Sequence, residues 1–102
     1  MSYALENALY QWQDGQRRVR GAPELERAVD VVVDELRRRL GSTFTLDELA
    51  DFYGDGSDWA SDLAASVSGG VHATTVADAA FARYAREAKD YAGGRQKRVD
   101  QE

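Results

Sequence analysis

Carboxylates and aromatic side chains are interleaved in the middle of the chain, and their chemistry stands out first. Residues 42–78 include seven Asp or Glu and no Lys or Arg. Such a concentration of negative charge attracts basic surfaces and speeds their docking, while aromatic side chains supply the apolar contacts that hold a partner. The candidate partner-binding residues are Asp51, Phe52, Tyr53, Asp55, Asp58, Trp59 and Asp62.

Neither a metal site nor a catalytic site is predicted. The carboxylates do not match the EF-hand loop, which needs oxygen ligands at alternate positions and a glutamate at the twelfth. The chain has no cysteine, which excludes disulfides, thiolate metal sites and thiol nucleophiles. The one histidine, His72, follows a glycine pair without a nucleophile motif beside it, so we interpret it as an ordinary loop residue. We expect a non-enzymatic protein without a cofactor.

Two arginine clusters offer an alternative in which the partner is a nucleic acid. Arginines neutralise phosphates, and these clusters would have to share one face and act with the basic C-terminal tail. The simpler interpretation, which we favour, is that basic residues near helix C-termini complement the helix dipole, each contributing about 0.3–1 kcal/mol. The clusters consist of Arg17, Arg18 and Arg20, and of Arg37, Arg38 and Arg39.

Helices are predicted to position these residues, because apolar side chains recur three and four positions apart along most of the chain. A first helix is expected over residues 2–18. A second should begin at Pro23, since proline is tolerated in a first helical turn, and should end at Gly41, which is typical of a C-cap. Both arginine clusters then lie near helix C-termini.

The acidic segment is predicted to form two short helices separated by a turn. Thr45 and Glu48 fit a capping box, in which each side chain bonds to the other residue's backbone amide, so a helix should begin at Leu46. Residues 54–56, Gly-Asp-Gly, are typical of a turn, and Ser57 is a suitable N-cap for the next helix.

Two short helices joined by a glycine turn, with Ala50 four residues before Gly54, resemble the helix-turn-helix of DNA-binding proteins. The helix that would read DNA departs from that pattern. It carries Asp58, Ser61 and Asp62 and contains no Arg, Lys, Asn or Gln. Phosphates would repel it, and it lacks the side chains that usually read guanine or adenine. We therefore expect a helix-turn-helix-like scaffold without DNA-reading residues.

The last helix is expected to be capped by the threonine at position 74 or 75 and to stop at the glycine pair 93–94. Residues 93–102 contain Val99 as their one large apolar side chain, and this composition is typical of a disordered charged tail. The remainder, residues 1–92, is then expected to be one helical domain, because 102 residues leave room for one core.

The predicted fold class is all-α: a compact, irregular (orthogonal) bundle of about five helices with a degenerate helix-turn-helix-like pair in the middle. The predicted role is regulatory binding of a protein partner with a basic surface, with transcription as one setting, and homodimer formation stays open. The first residues do not resemble a signal peptide, and no apolar run reaches membrane-spanning length. We expect a cytoplasmic protein without a membrane partner.

Overall fold

The computed structural model describes residues 3–68 and 72–89. Four α-helices account for most of them: α1 (Tyr3–Val19), α2 (Pro23–Leu40), α3 (Leu46–Ser68) and α4 (Ala73–Ala85). The described residues contain no strand, and the all-α prediction is confirmed. The predicted tail at residues 93–102 and the last residues of the predicted domain lie outside the described residues.

Helix α4 lies at the centre of the bundle. Eight of its thirteen residues are buried, most of them alanines, and it contacts each of the other three helices. A helix that is apolar on most of its sides has only a narrow solvent face and is therefore largely enclosed. The largest share of its packing is with α1.

Gly15 permits the close approach of α1 and α4. A Cβ atom at this position would lie 2.6 Å from the Cβ of Asp78 and 3.0 Å from the carbonyl oxygen of Thr75. Glycine lowers helix propensity by about 1 kcal/mol relative to alanine. In α1 the close packing of the two helices offsets that cost, because a larger residue at this position would push them apart.

A buried aromatic cluster joins α1, α3 and α4. The ring of Phe81 stacks on Trp12, with centroids 5.5 Å apart, and meets the ring of Tyr53 edge-on at 4.9 Å. Phe52 lies further out, 6.4 Å from Phe81. Because Phe81 and Trp12 are fully buried, these contacts combine large apolar burial with favourable ring geometry.

The connection between α2 and α3 is fixed by α4 and the residues after it. Gly41 has a φ of 75°, and its N–H donates to the carbonyl oxygen of Arg37 at 2.8 Å, which confirms the predicted C-cap. The Tyr84 hydroxyl donates to the Gly41 carbonyl, and its ring stacks on Phe44 with centroids 4.5 Å apart. Burial raises the pKa of Tyr84 to about 12. Finally, the Lys89 N–H donates to the Phe44 carbonyl at 2.7 Å.

The start of α3 is as predicted. The Thr45 N–H donates to Oε1 of Glu48 at 2.8 Å, and the Glu48 N–H donates to Oγ1 of Thr45 at 3.1 Å. This is the reciprocal arrangement of a capping box, and the helix begins at Leu46.

The predicted turn at residues 54–56 is wrong, because α3 continues through it as one helix. Leu49, Ala60 and Ala64 are buried, and their spacings of eleven and four residues correspond to about three turns and one turn of a single helix. Burial along this continuous face outweighs the cost of about 1 kcal/mol for each glycine. The predicted helix-turn-helix-like pair is therefore absent from α3.

The predicted start of the last helix is wrong, and the helix is interrupted at residues 86–88, whereas its predicted stop at residues 93–94 lies outside the described residues. Helix α4 begins at Ala73, directly after His72, whose backbone is left-handed at φ 61° and whose side chain makes no capping hydrogen bond. The helix ends at Ala85, and turns follow through Ala88. The bond between Lys89 and Phe44 and the full burial of Ala88 account for this end, since both draw the chain back against the bundle.

Candidate functional site

The exposed side of α3 carries carboxylates that are not neutralised. Asp47, Asp51 and Asp62 are exposed, and we call these three residues the acidic face. Their spacing places them on one side of the helix over about 22 Å. None of them takes part in an ion pair among the described residues. Asp55 and Asp58 also belong to α3, but their side chains lie outside the description.

Four of the eight carboxylates on the other three helices form ion pairs with arginines. Asp14 pairs with both Arg17 and Arg18, and the hydrogen bond from Arg17 is the main reason that the pKa of Asp14 is lowered. Helix α3 has no Lys or Arg that could form such a pair at a spacing of three or four residues. The carboxylates in described ion pairs are Asp14, Asp30, Asp34, Glu35 and Glu87.

Two of the predicted aromatic anchors border the acidic face and are half-buried. The rings of Phe52 and Trp59 have centroids 5.9 Å apart, and both pack against the core. The guanidinium carbon of Arg39 lies 4.2 Å from the Trp59 ring centroid, a cation–π contact worth about 0.5–1 kcal/mol at an exposed site. Trp59 and Asp62 are three residues apart and are therefore neighbours on the helix surface.

The third predicted anchor, Tyr53, is engaged inside the molecule. Its hydroxyl donates to Oδ1 of Asp78 at 2.7 Å and lies 3.1 Å from Oε1 of Gln11. Burial, with the neighbouring Asp78 carboxylate, raises the pKa of the Tyr53 hydroxyl, and burial also raises the pKa of Asp78. This half-buried pair links α3, α4 and α1, so the Tyr53 hydroxyl serves the fold.

The arginine clusters are largely neutralised by neighbouring carboxylates. Arg17 and Arg18 pair with Asp14, and the second cluster pairs with Asp34, Glu35 and Glu87. Of the six predicted residues, Arg20 is the one without a carboxylate partner in the described part of the chain. Exposed pairs of this kind contribute about 0–1 kcal/mol each.

The structure places Arg17 and Arg20 together in a groove that the second arginine cluster does not line. This groove has a volume of about 310 Å³, and we call it the arginine groove. Sequence reasoning did not assign five of its seven residues to this surface, although a spacing of three, four or seven positions from Arg17 or Arg20 was a readable signal for four of them. Besides Arg17, Arg20 and Asp14, it is lined by Tyr10, Gln13, Gln16 and Arg86.

The described residues contain no group of three or more His, Asp or Glu side chains that could hold a metal ion. His72 is exposed at the start of α4. Within residues 3–68 and 72–89, none of the helices is long and apolar enough to cross a membrane.

Comparisons with protein-family models, with curated proteins and with solved structures found no match. The two charged surfaces, the acidic face and the arginine groove, therefore carry the functional interpretation.

Proposed function

We propose that this protein is a non-enzymatic interaction module that binds a protein partner with a basic surface through the acidic face of α3. The observation that carries the proposal is the unpaired state of Asp47, Asp51 and Asp62. No described carboxylate of α3 is in an ion pair, whereas four of the eight on the other three helices pair with an arginine. Unpaired exposed charges of one sign are free to meet a complementary surface.

The acidic face favours a basic protein over a nucleic acid. Phosphates carry the same charge as the carboxylates and would be repelled, whereas Lys and Arg side chains would be attracted over distances of up to about 8–10 Å at physiological salt. The proposal leaves out a transcriptional setting, because α3 lacks the helix-turn-helix-like break.

Half-buried aromatic side chains provide the apolar part of the surface. Phe52 and Trp59 remain partly accessible beside the acidic face, and aromatic residues are enriched among the contacts that dominate binding energy. Charges at the rim of such a contact govern the association rate, and the rings govern how long the complex lasts.

The proposal is tested by neutralising the acidic face without changing its shape. The tagged double variant Asp51→Asn/Asp62→Asn is compared with wild type in affinity capture from its own lysate, after nuclease treatment and at two salt concentrations. We expect a salt-sensitive protein partner to be retained by wild type and reduced about tenfold or more with the variant, as rim-charge losses predict. Circular dichroism should be unchanged, because exposed substitutions shift stability by less than about 0.5 kcal/mol.

The matched control removes two exposed carboxylates elsewhere. Glu6 and Glu24 lie in the first turns of α1 and α2, and Glu6→Gln/Glu24→Gln changes the net charge by the same amount. Equal loss of the partner in both double variants would contradict the acidic face as the binding surface. Loss of all recovery after nuclease treatment would contradict a protein partner.

A third variant separates the ring contact from folding. Trp59→Phe keeps an aromatic ring against Phe52 and reduces the surface offered to the partner. We expect a several-fold loss of partner at unchanged helicity. Trp59→Ala is less informative, because it also removes packing against the core.

A further inference from the structure

The arginine groove has a composition that the acidic face does not explain. Its lining includes three arginines, two glutamines and a tyrosine. Most of these residues belong to α1; Arg20 directly follows α1, and Arg86 is the C-cap of α4. A volume of about 310 Å³ is at the small end of the range for ligand pockets, which is about 300–1,000 Å³. Most such pockets are lined by apolar side chains, whereas this one is lined by donors.

Two of these arginines are available to a ligand. The guanidinium groups of Arg20 and Arg86 have no carboxylate partner among the described residues. The one carboxylate in the groove, Asp14, has both oxygens occupied, Oδ1 by Arg17 and Oδ2 by Arg18. The groove therefore presents free cationic donors and little accessible negative charge.

Helix dipoles explain part of this arrangement. Arg20 follows the end of α1 and Arg86 caps the end of α4, where positive charge is favourable by about 0.3–1 kcal/mol. That effect acts at each helix end separately. It gives no reason for both guanidinium groups to line one groove with the amides of Gln13 and Gln16.

Tyr10 adds an exposed ring to the same groove. It is 73% exposed, the highest value among the large hydrophobic side chains of the described residues. Its ring therefore offers an accessible flat face beside the arginines, on which a planar group can stack. Guanidinium groups bind phosphate with two parallel hydrogen bonds, and aromatic rings stack on nucleic acid bases.

We propose that the arginine groove binds a nucleoside phosphate, with the base stacked on Tyr10 and the phosphate held by Arg20 and Arg86. Gln13 and Gln16 supply amide donors and acceptors between these two ends. A free nucleotide and a single-stranded nucleic acid both offer this chemistry, and the two sources are separated by the choice of probe.

The test uses the full chain with three probes: adenosine monophosphate, a labelled single-stranded oligonucleotide of about ten nucleotides, and inorganic phosphate. Binding is measured by calorimetry and fluorescence anisotropy between about 50 and 200 mM salt. Arg20→Gln/Arg86→Gln and Tyr10→Ala should each weaken binding about tenfold or more, and Tyr10→Phe should restore it because the ring is kept. The double arginine variant should also flatten the salt dependence.

Arg27→Gln/Lys89→Gln is the matched control, because both side chains are exposed, neither has a carboxylate partner among the described residues, and neither lines the groove. It removes the same net charge and should bind like wild type. Binding of adenosine monophosphate alone would identify a free nucleotide as the ligand, and binding of the oligonucleotide alone would identify single-stranded nucleic acid.

Three results would overturn the proposal. The first is the absence of binding by both nucleoside phosphate probes up to about 1 mM. The second is an equal loss of affinity in the control variant. The third is inorganic phosphate binding as tightly as adenosine monophosphate with no effect of Tyr10→Ala, which would show that the ring does not hold a base.

Discussion

The interface between α1 and α4 and the outer face of α3 are both formed by regular helices, yet they treat their polar groups in opposite ways. At the interface, Asp78 is half-buried and accepts a hydrogen bond from Tyr53, and Gly15 keeps the backbones close. On α3, Asp47, Asp51 and Asp62 face water without an ion-pair partner among the described residues. Packing constrains the first region strongly. Folding places little demand on the second, so binding is free to determine its side chains.

The largest expected effect is at the centre of the aromatic cluster. Phe81→Ala should lower the free energy of unfolding by about 3–5 kcal/mol, because it removes a fully buried ring that contacts Trp12 and Tyr53. Tyr10→Ala, at an exposed ring, should change it by less than about 0.5 kcal/mol. Urea unfolding measures both, and similar losses in the two variants would break the comparison between packed and exposed aromatic residues.

Two glycine substitutions should act in opposite directions. Gly15→Ala should cost about 1–3 kcal/mol, because the new Cβ would lie 2.6 Å from the Cβ of Asp78. Gly54→Ala should stabilise the protein by about 0.5–1 kcal/mol, since a Cβ there meets no described atom within 4 Å and alanine favours a helix interior. Thermal unfolding checks both signs. A destabilised Gly54→Ala variant would argue against a continuous α3.

The smallest effect concerns pH. Burial raises the folded-state pKa of Asp78 above its ordinary value of 3.8, so the folded state binds this proton more tightly than the unfolded chain does. Proton binding by Asp78 therefore stabilises the fold most below pH 3.8. This stabilisation falls as the pH rises through the raised pKa, and the contribution of Asp78 no longer changes with pH above it. Asp78→Asn keeps an acceptor for the Tyr53 hydroxyl and removes this dependence.

The variant should accordingly gain stability relative to wild type as the pH rises from 4 to 7. The gain should be under about 1 kcal/mol, because water screens a half-exposed carboxyl group. Urea unfolding of both proteins at several pH values gives the difference directly. A difference that does not change with pH would mean that the Asp78 carboxyl is as well solvated in the fold as in the unfolded chain.

Local signals predicted the fold well where the residues that decide an element are adjacent in sequence. Pro23 and Gly41 marked the ends of α2, and Thr45 with Glu48 marked the start of α3. The turn predicted at residues 54–56 failed because glycine propensity is a weak local effect, whereas the burial of Leu49 and Ala60 on one face fixes the helix across it.

The candidate surfaces were predicted unevenly for the same reason. The acidic composition of α3 is visible in the sequence, but the unpaired state of its carboxylates depends on which arginines lie nearby. Arg86 reaches the arginine groove from a position far along the chain from Tyr10, so no local pattern could have joined them. The engagement of Tyr53 by Asp78 is likewise a contact between two helices.

The central position of α4 has a consequence for the order in which this chain can fold. Helix α1 packs mainly against α4. The ring of Trp12 therefore cannot be covered until Phe81, about 70 positions later in the chain, has been synthesised. During synthesis, the apolar sides of α1, α2 and α3 remain without their common partner until α4 has emerged. We therefore expect that an N-terminal fragment ending before Ala73 would not form this core, because it would lack the helix that contacts all of the others.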